Sequence, residues 1–212
     1  MRVGDALTLF TGSGGEFAAT IERIGKRGVA VRIGAFAAVE REAAHAVTLV
    51  QSIIAADMMD LVVRKAVELG VAAIVPVLAA RSQRAPETRA AKRVERWRQI
   101  AIAACEQCGR NRVPEIAGIA ALSHWTENAG ADALMLDADA PIAYAAALRQ
   151  RMPRFVVVGP EGGFAPAERA GAKRRGMMLA RFGTRILRAE TAALAALAAL
   201  IAFDDIRPCH PE

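Results

Sequence analysis

Two glycine-bearing stretches carry residue types that could do chemistry. The first, Gly159-Pro160-Glu161-Gly162-Gly163-Phe164, follows an apolar run ending at Val158 and precedes a helix pattern with Pro166 in its first turn. Glycines let backbone come close to a ligand, and free N–H groups at a helix start suit polar groups. Alone, the stretch reads equally well as a tight turn. Its spacing is neither a dinucleotide fingerprint nor a phosphate loop followed by Lys-Ser/Thr. The second stretch, Phe182-Gly183-Thr184-Arg185-Ile186-Leu187-Arg188-Ala189-Glu190-Thr191-Ala192, follows another apolar run and feeds an Ala/Leu-rich helix. Arg185 and Arg188 stand at the entry to that helix, where cations are disfavoured. Something anionic is expected near them: Glu190, a ligand or RNA.

The elements that hold these stretches follow from periodicity. Residues 7–10, 16–24 and 29–33 read as short strands joined by glycine turns, a small barrel or meander with too few strands to bury a full core alone. From about residue 47 the pattern changes. Strands are predicted at 47–54, 72–78, 133–136, 154–158 and 178–182, and helices at 58–69, 90–108, 142–151 and 165–175. Alternation of this kind implies right-handed crossovers and a parallel sheet, so residues 46–212 form an α/β domain and 1–45 a small β domain. Both glycine stretches then leave the carboxyl ends of strands, where open α/β sheets bind ligands. The stripe predicted for helix 58–69 is Met58, Leu61, Val62, Lys65, Ala66 and Leu69, closed by Gly70. The last helix, with Leu194, Leu197 and Ile201 among alanines, reads either as buried core or as a dimer interface.

Composition narrows the classes. The chain has 212 residues, 54% hydrophobic and 24% charged, which excludes disorder as the dominant state. Its 28 basic and 22 acidic residues give a net charge of +6, compatible with an anionic partner without establishing one. Aromatic residues make up 5%, few for a platform that stacks unpaired bases. The longest apolar stretch, 191–203, is short of the roughly 20 residues a membrane crossing needs. No apolar signal region opens the chain, and its 3 cysteines are an odd number, so a cytoplasmic protein is expected. Cys105 and Cys108 have C-x-x-C spacing, with Cys209-His210 far downstream. They fall inside a predicted helix with no second pair, and His45 and His124 lack partners at ligand spacing, so core cysteines and no metal are expected. Arg89, Lys92, Arg93, Arg96 and Arg98, with Arg110 and Arg112 beyond, form the densest positive run, by default a solvated helix face.

Four segments in order make a more specific pattern: Lys65-Ala66-Val67-Glu68-Leu69-Gly70-Val71, then Glu106-Gln107-Cys108-Gly109-Arg110 with Val113-Pro114, then the two glycine stretches. In these the chain resembles the RsmE family, the 16S ribosomal RNA (uracil-N3)-methyltransferases of the SPOUT superfamily. The resemblance implies a trefoil-knotted α/β domain, S-adenosylmethionine as cofactor, and a homodimer formed through helix 190–203. Carried over by position, the cofactor-binding residues are Leu136, Gly159, Pro160, Glu161, Gly162, Gly163, Phe182, Gly183, Ile186, Leu187 and Arg188. The amino-terminal strands resemble the family's PUA-like RNA-binding domain. Family members begin a few dozen residues before the Val3-Gly4-Asp5 seen here, so the likeness implies either a truncated version or a chain start placed too late. A second departure is Ala55-Ala56 ahead of Asp57-Met58-Met59, where the family has a Lys-Gly pair. Both fall on the RNA side and leave the cofactor loops untouched.

Methylation of uracil N3 would require its proton to leave, and the negative charge then spreads to the flanking carbonyls, where a cation stabilises it. Arg188 is the first candidate for that cation and Arg110 the second. Glu190 either accepts the proton or holds Arg188; both readings stand. With the family in view, Arg81, Arg84, Arg93, Arg96 and Arg110 become candidate contacts to small-subunit ribosomal RNA or the 30S particle. Two other classes compete: a non-catalytic RNA-binding or ribosome-assembly factor on the same fold, and a different nucleotide-binding α/β enzyme.

Overall fold

The computed structural model describes residues 1–83 and 87–206. Arg84, Cys209 and His210 therefore lie outside the described residues. The chain divides into two compact units, one made of Met1–Glu42 and Cys105–Val113, the other of Ala43–Ala104 and the chain from Pro114 onward.

The first unit is an antiparallel meander of β1 (Ala6–Leu9), β2 (Glu16–Gly25) and β3 (Gly28–Ala37), in that order. Ala19 and Ile21 of β2 are buried, whereas Ile33 and Phe36 of β3 are more than half exposed. The sequence-distant segment of the unit explains the Glu106–Arg110 motif physically. Gly109, directly after the helix that ends at Cys108, has φ +81°, a left-handed conformation that costs other L-residues 1–2 kcal/mol or so. The chain then turns Arg110 inward, where its guanidinium pairs with Glu42. Asn111 Nδ2 donates to the Val39 carbonyl at 2.7 Å, and Arg112 Nε to Glu40 at 2.7 Å. These bonds tie the segment to the end of the meander, a long-range pairing that periodicity cannot reveal.

The second unit is an eight-stranded sheet. Its strands are β4 (Thr48–Ser52), β5 (Ala73–Leu78), β6 (Glu115–Ile116), β7 (Ala120–Ala121), β8 (Ala133–Leu136), β9 (Ile142–Ala143), β10 (Phe155–Val158) and β11 (Met178–Arg181). The order is β6-β5-β4-β10-β8-β11-β9, with β7 also on β5, and every pair is parallel. The helices are α1 (Ala56–Glu68), α2 (Ala90–Cys108, its last turn belonging to the first unit), α3 (Leu122–Ala129), α4 (Tyr144–Gln150), α5 (Pro166–Arg174) and α6 (Ala189–Asp205). Val50, Val157, Met135 and Leu179 are register neighbours across the central strands. They form one core cluster with Leu122 of α3, Phe164 and Ala172 of α5. Helix α6 packs against α1, α4 and β10. Tyr144 is buried there, and its hydroxyl donates to the Ala196 carbonyl at 3.0 Å.

The structure corrects two sequence expectations and adds elements that none had covered. The 142–151 stretch is not helical throughout: Ile142–Ala143 add a strand beside β11, and the helix starts at Tyr144. Strands β6 and β7 had no periodic signal, because two residues are too few to alternate, and the eight-residue helix α3 was not anticipated either. The buried face of α1 is Met59, Asp60, Val62, Val63, Ala66 and Val67, shifted from the expected stripe. That face accommodates Asp60 because Arg96 Nε donates to its carboxylate at 2.9 Å.

Candidate functional site

In parallel strands all carboxyl ends share one edge, so β8, β10 and β11 deliver their loops side by side. There they enclose a cleft of about 360 Å³. Ligand sites span roughly 300–1,000 Å³ and are mostly apolar with a few placed polar groups. Leu136 enters it from β8, the stretch 159–163 from β10, and Phe182, Ile186 and Leu187 from beyond β11. The structure thus brings together Leu136, Gly159, Pro160, Glu161, Gly162 and Gly163, and adds Phe182, Ile186 and Leu187. Gly183 lines the adjoining depression with Thr184 and Arg185. Ile186 is 89% exposed, a large apolar side chain presented to water at the cleft wall.

Local chemistry explains the loop after β10. Gly163 N donates to the Pro160 carbonyl at 2.9 Å and closes the turn, and Gly163 itself holds φ +65°, a left-handed conformation that favours glycine. At Gly159 an added Cβ would lie 3.1–3.3 Å from the ring of the buried Phe164, so ring or loop would have to shift by a few tenths of an ångström. Pro166 opens α5, and Glu168 reaches back so that its Oε2 accepts from the Ala165 N–H at 2.7 Å. On the β11 side, the Phe182 ring rests 5.4 Å from that of Tyr144.

Arg188 occupies the N-cap of α6 between Leu187 and Ala189, which both line the cleft; its own side chain is exposed and outside that lining. Among the described residues no ion pair or hydrogen bond engages its guanidinium, and none joins it to Glu190. Glu190 is half-buried in the first turn of α6, where a carboxylate complements the helix dipole. Arg110 belongs to the first unit, buried against Glu42.

The candidate RNA contacts differ in freedom. Arg81 is exposed, lines the cleft, and its Nη1 donates to the Gly162 carbonyl at 2.7 Å. Arg93 lies over the Trp97 ring at 5.3 Å. Arg96 binds Asp60 while most of its side chain remains exposed. Cys105 is buried, and burial pushes its thiol up to about 11, the state of an inert core cysteine. His45 Nε2 sits 2.8 Å from the Pro153 carbonyl, a structural bond.

Sequence reasoning passed over several residues of the site. Arg169 bridges Asp137 at 3.4 Å and Asp139 at 3.0 Å across the mouth of the cleft, and Asp137 Oδ1 accepts from the Asp139 N–H at 3.0 Å. Two acids directly after the strand end at Leu136 were the available signal. Glu168 was missed as well, although its place three residues into a helix opened by proline marks it as a capping residue.

A sheet of parallel strands with a glycine-walled cleft at its carboxyl edge defines a small-ligand α/β domain, and the comparisons give the class. A family model described as RNA methyltransferase domain matches residues 41–201, and one described as RNA methyltransferase PUA domain matches residues 1–34. A ribosomal RNA small subunit methyltransferase E from Mycobacterium bovis is 31% identical over 210 residues, spanning 94% of this chain and 79% of its own. The crystal structure of the Neisseria gonorrhoeae ribosomal RNA small subunit methyltransferase E bound to S-adenosyl methionine is 35% identical. It covers 96% of this chain and 85% of that one with a TM-score of 0.88. A Legionella pneumophila putative methyltransferase, in complex with bound cofactor SAM, is 38% identical with the same coverages and a TM-score of 0.87. The chain belongs to the RNA methyltransferase family and, within it, to the ribosomal RNA small subunit methyltransferase E group.

Proposed function

We propose that this protein transfers a methyl group from S-adenosylmethionine to N3 of a uracil in small-subunit ribosomal RNA. The observation that carries the reading is the meeting of three strand-end loops in one cleft at the sheet's carboxyl edge. The cleft fits the cofactor in size and lining. Leu136, Val158, Ile186 and Leu187 offer apolar surface to an adenine, and glycine backbone leaves room for it. The exposure of Ile186 is the kind of apolar surface that a bound ring would cover. When bound, the sulfonium supplies an activated methyl group.

The chain's own residues then have to position the base and manage its charge. Glu190, in the first turn of α6 next to the cleft-lining Ala189, is the carboxylate we assign to take the N3 proton. Arg188, a cation with no ion pair among the described residues, stands at the positive end of α6 and gains a counter-charge as the uracil anion develops. Arg110, held by Glu42, has its charge already matched, which favours Arg188 for this role. Arg81, Arg93 and Arg96 are the described candidates for phosphate contact. We also infer a trefoil knot through the three loops and a homodimer through α6, whose Leu194, Ala195, Ala198 and Ala202 are left partly or fully exposed. Sedimentation should return twice the chain mass; a monomer at micromolar concentration contradicts the pairing. No helix among the described residues is long and apolar enough to cross a membrane.

Calorimetry with S-adenosylmethionine tests the cleft directly. One-to-one binding per chain is expected, and Gly159→Ala should weaken it about tenfold, because the new methyl displaces the loop against Phe164. Absence of binding by the unmodified protein would contradict the proposal.

A further inference from the structure

Arg81 does two things at once. Its guanidinium donates to the Gly162 carbonyl, and its stem lies over Gly162, where an added Cβ would sit 3.4 Å from Arg81 Cβ and Cδ. The same side chain is exposed at the cleft mouth. A second bond ties the segment after β5 to the start of α5, into which that loop runs: Glu168 Oε1 accepts from the Ala80 N–H at 2.7 Å while its other oxygen caps α5. The segment after β5, donor in both bonds, is therefore strapped to the loop after β10 and to the helix that follows it. The strand order requires this closeness, since only β4 lies between β5 and β10.

A guanidinium has five N–H donors in a rigid fork, so one spent on a carbonyl leaves others for a phosphate. We propose that Arg81 is a positioning residue that couples the two sites, so that a filled cleft strengthens the grip on RNA and bound RNA strengthens the grip on the cofactor. This rests on the function proposed above. Loop 159–163 forms one wall of the cleft, so a ligand that fixes the loop also fixes Gly162 O and, through it, the guanidinium. With the guanidinium fixed, the RNA phosphate meets a donor whose ordering cost is already met. Linkage makes the two enhancements equal in magnitude.

The test is a binding square. Affinity for small-subunit ribosomal RNA transcribed in vitro is measured with and without S-adenosylhomocysteine, which cannot donate a methyl group, for the unmodified protein, Arg81→Ala and Arg81→Lys. The expected result is RNA bound about five- to tenfold more tightly with S-adenosylhomocysteine in the unmodified protein, a coupling within the usual range. The factor should fall to about one in Arg81→Ala. In Arg81→Lys, which keeps the charge without the fork, RNA affinity without S-adenosylhomocysteine should fall less than in Arg81→Ala, while most of the coupling is lost. A loop that merely lost stability would weaken S-adenosylhomocysteine binding and leave the coupling factor unchanged. A factor equal in all three proteins, or of one in the unmodified protein, overturns the proposal. If the unmodified protein bound no S-adenosylhomocysteine at all, the functional reading itself would be at fault.

Discussion

Arg188→Ala is expected to lower methyl transfer by about 10²–10³-fold while leaving S-adenosylmethionine affinity within a few-fold of normal. The magnitude is that of removing one preorganised donor to a developing oxyanion. Its sign follows from position. The side chain stands at the N-cap of α6, exposed and outside the cleft lining, while its chain neighbours Leu187 and Ala189 form part of that lining. On the role proposed for it, loss of the guanidinium removes the charge that would meet the acceptor and leaves the cofactor wall intact. Arg188→Lys should recover part of the rate, since it keeps a cation without the fork. Single-turnover rates and calorimetry on the same preparations separate the two effects. Equal rates would remove Arg188 from the chemistry, and a parallel loss of affinity and rate would make it a binding residue.

RNA affinity should fall about a hundredfold between 50 and 200 mM salt. Each phosphate neutralised by a cation contributes a slope of roughly 0.9 in log affinity against log salt for a duplex, and somewhat less for a single strand. Arg81, Lys92, Arg96 and Arg98 are exposed cations on α2 and the segment before it, which would give about that loss if each met a phosphate. Arg96 and Arg98 also meet Asp60 and Glu95, so part of their charge is offset before RNA arrives. Filter binding across a salt series measures the slope. A flat response would place the RNA elsewhere.

Much of the cleft could be read from the chain because its walls are local. Gly159 through Gly163 and Phe182 through Leu187 are continuous stretches after strands, and glycine, proline and apolar periodicity mark such places. The Asp137–Arg169–Asp139 bridge and the Arg81–Gly162 strap join residues about 30 and 80 positions apart, and they exist only because β5, β4, β10, β8 and β11 lie in that order. Spacing carries no such information. The same limit hid the inclusion of Cys105–Val113 in the first unit, which depends on Gly109 turning Arg110 toward Glu42. Helix α1 shows a subtler limit. A hydrophobic stripe counts Leu61 and Leu69 as core, yet the buried face includes Asp60, whose charge is matched by an arginine far along the chain.

The central claim is that the cleft presents a methyl group to one nitrogen of one base. Small-subunit ribosomal RNA and 30S particles lacking the modification should be incubated with the protein and S-adenosylmethionine carrying a labelled methyl group, digested to nucleosides and analysed by mass spectrometry. The account predicts label in N3-methyluridine alone, at up to one residue per RNA. Label in a ribose-methylated or carbon-methylated nucleoside, or no label from a protein that binds the donor, would contradict it.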